Sequence, residues 1–401
     1  MKLKQFAVTA SLLSATILSA GSVAADEVKV GLLGGVSGPI AAMAPPMLDA
    51  ANLAIAQVNE QGGILGGQKL VAVLGDSGCN PQNGVDSATK LVNVEQVSGL
   101  IGPHCSGAVL AVANSVSVPA GVAMLTPSGT SPEITGLDDN GLVFRTVPSD
   151  VDQGRYLART MLEQGRNKVA IAYLNNDYGS GLAQAFKQEF EAKGGQVAGF
   201  AAHEEGKASY RSNLAALARE GADTLVIFDY GDGTGLTMLR QALENGFFSN
   251  FVGGDGMKSD ALIRELGAEN LETFTASSPV GSKSDGLSIF NEAFKGAGGD
   301  PDAIFVTTSY DAGFIMALAL EKAGGDKSKV ADAIIEVSNG QGEPILPGEW
   351  KKAAELISAG KEIDYKGASG DLNFDGAGDV PGSYALFKVS GDSFDAISAQ
   401  N

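Results

Sequence analysis

Two short segments dense in hydroxyl groups and glycine carry the clearest chemistry: Gly102-Pro103-His104-Cys105-Ser106-Gly107 and Thr126-Pro127-Ser128-Gly129-Thr130-Ser131. Hydroxyls beside the free N–H groups of a helix start make a binding site for a carboxylate, so Ser106, Ser128 and Thr130 are candidate anion ligands. Each taken singly could equally cap a helix. Two such loops after consecutive strands of one sheet point instead to a shared site. Farther along, Asn176-Asp177-Tyr178-Gly179, Asp229-Tyr230-Gly231-Asp232 and Gly253-Gly254-Asp255-Gly256 place carboxylates and tyrosines in glycine-containing turns. A carboxylate on such a turn can approach an ammonium closely, while a tyrosine offers an apolar face and a hydroxyl. Asp255 alone could be a turn residue and Tyr178 alone could be core packing. Together the two groups of loops describe a zwitterion held between an anion-binding half and a cation-binding half.

Other chemistries find less support. Gly75-Asp76-Ser77-Gly78 looks like the nucleophile segment of chymotrypsin-like proteases, but Cys79 follows it and both histidines, His104 and His203, come later in the chain. A G-x-S-x-G elbow is absent, and Gly31 to Gly38 lacks the G-x-G-x-x-G spacing of a dinucleotide site. Asp371, Asn373, Asp375 and Asp379 resemble part of a calcium-binding loop, yet its twelfth position is Gly382 where glutamate is needed. With no converging base, nucleophile and orienting group, an enzyme is not expected, nor is a metal or cofactor. The balance of 28 basic against 47 acidic residues, net −19, repels nucleic acid and anionic lipid.

These loops need elements to hold them. Short apolar runs alternate with amphipathic segments: 28–33 then 41–61, 69–74 then 81–95, 98–101 then 108–117. After Pro148 the pattern resumes with 168–174, 179–192, 196–201, 210–220, 224–228 and 236–245. Such alternation predicts parallel sheets with helices on both faces, and in open α/β sheets ligands bind beyond the carboxyl ends of the strands. From Gly340 the chain is richer in glycine, proline and charge, and closes with one alternating strand at 384–389. The expected fold is α/β: two doubly wound parallel-sheet lobes joined by three hinge crossovers near Pro148, Pro279 and Ser383. Residues 26–148 plus 279–383 would form the first lobe, and 149–278 plus 384–401 the second. Residues 1–25, with Lys2 and Lys4, an apolar stretch from Phe6 to about Ala20 and small residues up to Ala25, read as a secretory signal peptide. In an exported chain the isolated pair Cys79 and Cys105 favours a disulfide over a metal or redox site.

The chain resembles the periplasmic leucine/isoleucine/valine-binding proteins, substrate-binding subunits of ABC transporters with a type I binding-protein fold. The resemblance is carried by Val30-Gly31-Leu32 to Ser37-Gly38-Pro39, Asn59-Glu60-Gln61-Gly62-Gly63-Ile64, Cys79-Asn80-Pro81, the two hydroxyl-rich segments, Asp177-Tyr178-Gly179, Phe374-Asp375 and Gly378-Asp379-Val380. It implies a periplasmic protein, a small-molecule amino-acid ligand, an inner-membrane ABC permease as partner, and a monomer that binds no nucleic acid. Ser106, Ser128 and Thr130 fall where the family holds the ligand α-carboxylate and contacts its ammonium. Asp255 falls where a family glutamate pairs with the ammonium. Tyr178 matches a pocket tyrosine, Tyr230 matches another if one residue is gapped, and Cys79 with Cys105 fall on the family disulfide. Departures cluster around the ligand side chain: Met43 replaces a tyrosine at the mouth, His104 replaces an apolar residue, and Asp229 stands where glycine is usual. His104 alone could be a hydrogen-bonded loop residue. A branched-chain or hydrophobic amino acid, captured by hinge closure, remains the favoured ligand; the rival readings are the same fold binding an amide, urea or aromatic carboxylate, and a ligand sensor serving a membrane receptor.

Overall fold

The computed structural model describes residues 27–400, so the expected signal peptide lies outside the described residues. Five parallel strands form one sheet: β1 (Glu27–Gly34), β2 (Lys69–Asp76), β3 (Leu100–Ile101), β4 (Met124–Thr126) and β5 (Val143–Arg145), in the order β2-β1-β3-β4-β5. The period of two in β1 sends Val28, Val30 and Leu32 into the core cluster on one face and Leu33 into the cluster on the other. Burial on both faces is why this strand reads as a nearly continuous apolar run. Helix Ala44–Glu60 starts with Pro45 and Pro46 in its first turn, where a missing N–H costs nothing. It packs on helix Val306–Lys322, which is buried along almost its whole length. The first core therefore draws on Val28 to Phe144 and again on Phe290 to Val380.

A second sheet of seven strands contains β6 (Lys168–Leu174), β7 (Gln196–His203), β8 (Thr224–Phe228), β9 (Asn250–Gly253) and β10 (Phe274–Val280), all parallel, in the order β10-β9-β8-β6-β7. A parallel ribbon of β11 (Glu343–Ile345) and β12 (Ile363–Tyr365) stands apart. The chain then returns as β13 (Ser383–Ser390), antiparallel to β10, and β14 (Ser393–Gln400), antiparallel to β13. The second sheet is thus parallel at its centre and antiparallel at one edge, and it ends in a hairpin where the sequence suggested a single strand. Chain crossings between the sheets fall at three places: between β5 and β6, between β10 and helix Asp285–Gly296, and just before β13. Asn176 caps helix Asp177–Ala192 through the Gly179 N–H, and Ser149 caps helix Asp150–Glu163 through the Val151 N–H.

Cys79 and Cys105 are bonded, tying the turn after β2 to the turn after β3. The bridge closes a loop with a sequence separation of 26. Replacing both cysteines by serine is expected to lower stability by about 3 to 4 kcal/mol, read as a shift of the urea unfolding midpoint. Unchanged stability would mean that the bridge constrains nothing.

The acidic turn resembling a calcium loop is a closed turn. The Asp375 carboxylate accepts the N–H groups of Ala377 and Asp379, and Asp379 pairs with the buried Arg145. Among the described residues no group of three or more His, Cys, Asp and Glu could hold a metal ion, and no helix is long and apolar enough to cross a membrane.

Candidate functional site

The strands of both sheets end at a common cleft, and the two lobes touch across it. A Cβ on Gly233 of the second lobe would stand 3.2 Å from Cβ of Pro39 in the first, and one on Gly107 would stand 2.6 Å from a carboxylate oxygen of Asp177. Ile40, Met43, Cys105 and Ile304 of the first lobe share one apolar cluster with Tyr178 and Tyr230 of the second. A small, nearly closed cavity of about 30 Å³ remains between them. Its walls come from the segments that follow β1, β3, β4, β6, β8 and β9, the carboxyl ends where open α/β sheets take ligands, and from Phe305 ahead of helix Val306–Lys322.

The sequence-predicted residues divide as follows. Ser106, Ser128, Tyr178, Tyr230 and Asp255 line the cavity, as do Met43 and His104. The Ser106 hydroxyl accepts the N–H groups of Thr130 and Ser131, at 3.2 Å each. With its acceptor sites so used, its own hydrogen is left to donate, as an anion requires. Ser128 donates to the His104 carbonyl at 2.9 Å. Thr130 stands outside the lining; its hydroxyl has no hydrogen bond of ordinary geometry and lies beside Asp150. Asp229 does not reach the cavity. It is fully buried against Nε2 of His203 at 2.6 Å and accepts the N–H of Tyr230. On this turn Tyr230 faces the cleft while the preceding side chain turns toward β7.

Opposite Ser106, Asp255 is 2% exposed. Its Oδ1 accepts the Tyr178 hydroxyl at 2.8 Å, and that oxygen in turn accepts the Gly256 N–H at 2.9 Å. Tyr178 and Tyr230 stack with ring centroids 5.1 Å apart. Burial pushes the Asp255 carboxyl above its ordinary value of 3.8, against the opposing pull of the Tyr178 hydroxyl and Gln153. Close by is a second buried acid, Asp150, whose pKa is raised further by burial and by the Asp255 charge, with Thr130 and Arg145 acting the other way. Neither acid forms an ion pair among the described residues, and both Asp150 oxygens, Gln153 Oε1 and Thr130 Oγ1 lack hydrogen-bond partners. Buried carboxylates without a cation are costly, so this end of the cleft is built to receive a positive charge.

Sequence reasoning missed Asp150 and Gln153, which follow the Pro148 crossover and lie beside Asp255 outside the lining, and the apolar wall of Ile40, Met47 and Phe305. Phe305 has a left-handed backbone (φ +59°), a strain of about 1 to 3 kcal/mol that surrounding packing must offset. No local motif announces it.

A cleft between two sheets, lined by hydroxyls, stacked tyrosines and a buried carboxylate, has the form of a small-molecule site. A family profile for periplasmic binding proteins matches residues 27–391. The chain is 33% identical over 316 residues to a leucine-, isoleucine-, valine-, threonine- and alanine-binding protein of Pseudomonas aeruginosa, covering 78% of this chain and 83% of that one. Against a Leu/Ile/Val-binding protein of Escherichia coli it is 30% identical over 290 residues, covering 72% and 77%. The crystal structure of a leucine-binding protein of Thermotoga maritima superposes with a TM-score of 0.80 at 25% identity, covering 93% of this chain and 99% of that one. The chain belongs to the periplasmic binding protein family, whose members bind substrates and are not enzymes.

Proposed function

We propose that this chain captures a free amino acid, branched-chain or otherwise hydrophobic, and delivers it to an inner-membrane ABC permease. The observation that carries the reading is Asp255: a buried carboxylate facing the cavity, hydrogen-bonded by Tyr178, with no cation of its own. Ser106 and Ser128 hold the ligand carboxylate with the Thr130 loop braced behind them, Asp255 neutralises the ammonium with Asp150 buried nearby outside the lining, and Tyr178 and Tyr230 cover it. The relatives named for leucine, isoleucine and valine support this ligand class, and the apolar wall of Ile40, Met43, Met47 and Phe305 suits it. Residues 1–25 direct export to the periplasm, and the mature chain works as a monomer of two lobes, 26–148 with 279–383 and 149–278 with 384–401. Hinge closure brings Tyr178, Tyr230 and Asp255 onto a ligand already caught by the first lobe, and the permease reads the closed surface.

Calorimetry with leucine, isoleucine, valine and their deaminated analogues tests the reading. One amino acid per chain should bind, and 4-methylpentanoate, leucine without its amine, should bind more weakly by about 2 kcal/mol or more. Equal affinity for the analogue would remove the cation site. Acidity gives a second readout. Because the folded-state pKa of Asp255 lies above 3.8, lowering the pH through that raised value protonates the carboxyl that must face the ammonium. Leucine affinity should therefore fall with pH while the ligand remains a zwitterion, and an affinity still undiminished at the ordinary value of 3.8 would contradict the assignment.

A further inference from the structure

Resting on the amino-acid part of that reading and revising its side-chain class, we propose that His104 makes the cavity favour, among side chains of branched-chain size, one carrying a neutral hydrogen-bonding group, a hydroxyl or a carboxamide. His104 lines the cavity, is 3% exposed, and its Nδ1 has no hydrogen-bond partner. Buried polar atoms are normally paired, and an exception calls for an explanation. The neighbouring groups do not supply one. Ile40, Met43, Met47 and Phe305 are apolar, the Ser128 hydroxyl is already donated to the His104 carbonyl, and the Ser106 hydroxyl braces the Thr130 and Ser131 amides.

The charge state narrows the partner. Burial holds the imidazole down to about 4, so near neutral pH the ring presents one donor and one acceptor and no charge. An anionic side chain would need the ring to take up a proton against that burial. A cationic one would find its carboxylates at the other end of the cleft. A neutral hydroxyl or carboxamide needs neither. An aliphatic side chain, by contrast, would leave the buried imidazole nitrogen without a hydrogen bond.

Two near-isosteric pairs test this by calorimetry: threonine against valine, and asparagine against leucine, with aspartate as the charged control. In the natural protein the polar member of at least one pair should bind roughly three- to tenfold tighter than its isostere, the usual worth of one neutral hydrogen bond. His104→Leu should reverse that order, and His104→Gln, which keeps a donor and an acceptor, should retain it. The comparison in the natural protein decides the matter even if His104→Leu fails to fold. Valine and leucine each binding tighter than their polar isosteres would overturn this inference alone and leave the amino-acid reading standing. Aspartate binding tighter than asparagine would likewise overturn it in favour of an anionic side chain. If no amino acid binds at all, the underlying reading fails and this inference with it.

Discussion

Replacing Asp255 by asparagine is expected to weaken leucine binding by about 2 to 5 kcal/mol, roughly 30-fold to several thousand-fold, while leaving the empty protein as stable as before or more so. The two effects separate because the carboxylate is a burden until a cation arrives. Its folded-state pKa lies above the ordinary 3.8, chiefly through burial. A carboxyl raised in this way binds protons more tightly in the folded chain than in the unfolded one. Its contribution to stability is favourable below the unfolded value and is lost as pH rises through the folded one. At neutral pH asparagine removes that cost and retains an oxygen to accept the Tyr178 hydroxyl at the position now 2.8 Å away. A variant that loses stability and affinity in equal measure would mark Asp255 as structural. Undiminished affinity would take it out of the site.

Arg145→Met is expected to cost about 3 to 5 kcal/mol of stability, the usual consequence of leaving one side of a buried ion pair without the other. Arg145 is fully buried at the end of β5. Its Nε and Nη2 hold the Asp379 carboxylate as a fork, its Nη1 donates to the carbonyls of Thr130 and Ser131 at 3.0 Å each, and Nη2 also reaches Thr135 Oγ1. One guanidinium thereby joins a ligand-facing loop to the segment leading into β13. The planar fork is what lysine cannot reproduce, so Arg145→Lys should recover only part of the loss. Because the Thr130 loop is braced on its other side by Ser106, affinity should fall together with stability. Urea unfolding followed by circular dichroism reads the first effect and calorimetry the second. A loss below about 1 kcal/mol would place this pair with ordinary surface salt bridges.

What the sequence made legible was whatever local periodicity and local loop chemistry encode. Val28 to Leu33 and Lys168 to Leu174 read as buried parallel strands because an apolar run bounded by turns has few other uses, and both are strands. Ser106, Ser128, Tyr178, Tyr230 and Asp255 could be singled out because each sits in the loop or first helical turn that follows a strand, and all five line one cavity. The misses are those where the partner is remote in sequence. Asp229 looked like a pocket residue beside Tyr230, but its partner is His203 on β7, and nothing local says which way a turn side chain points. Asp150 matters because it lies near Asp255, more than one hundred positions on, and Phe305 because a strained residue before a buried helix meets the cleft. Strand β14 escaped notice because Ser393-Phe394-Asp395-Ala396-Ile397 is a weak alternation stabilised by its antiparallel neighbour β13.

The most direct test is native mass spectrometry of the exported protein, purified without denaturation, with any retained small molecule identified by fragmentation. The account predicts one amino acid per chain, present in the natural protein and lost in Asp255→Asn. A retained ligand without an amine, or one held equally well by both proteins, would contradict it.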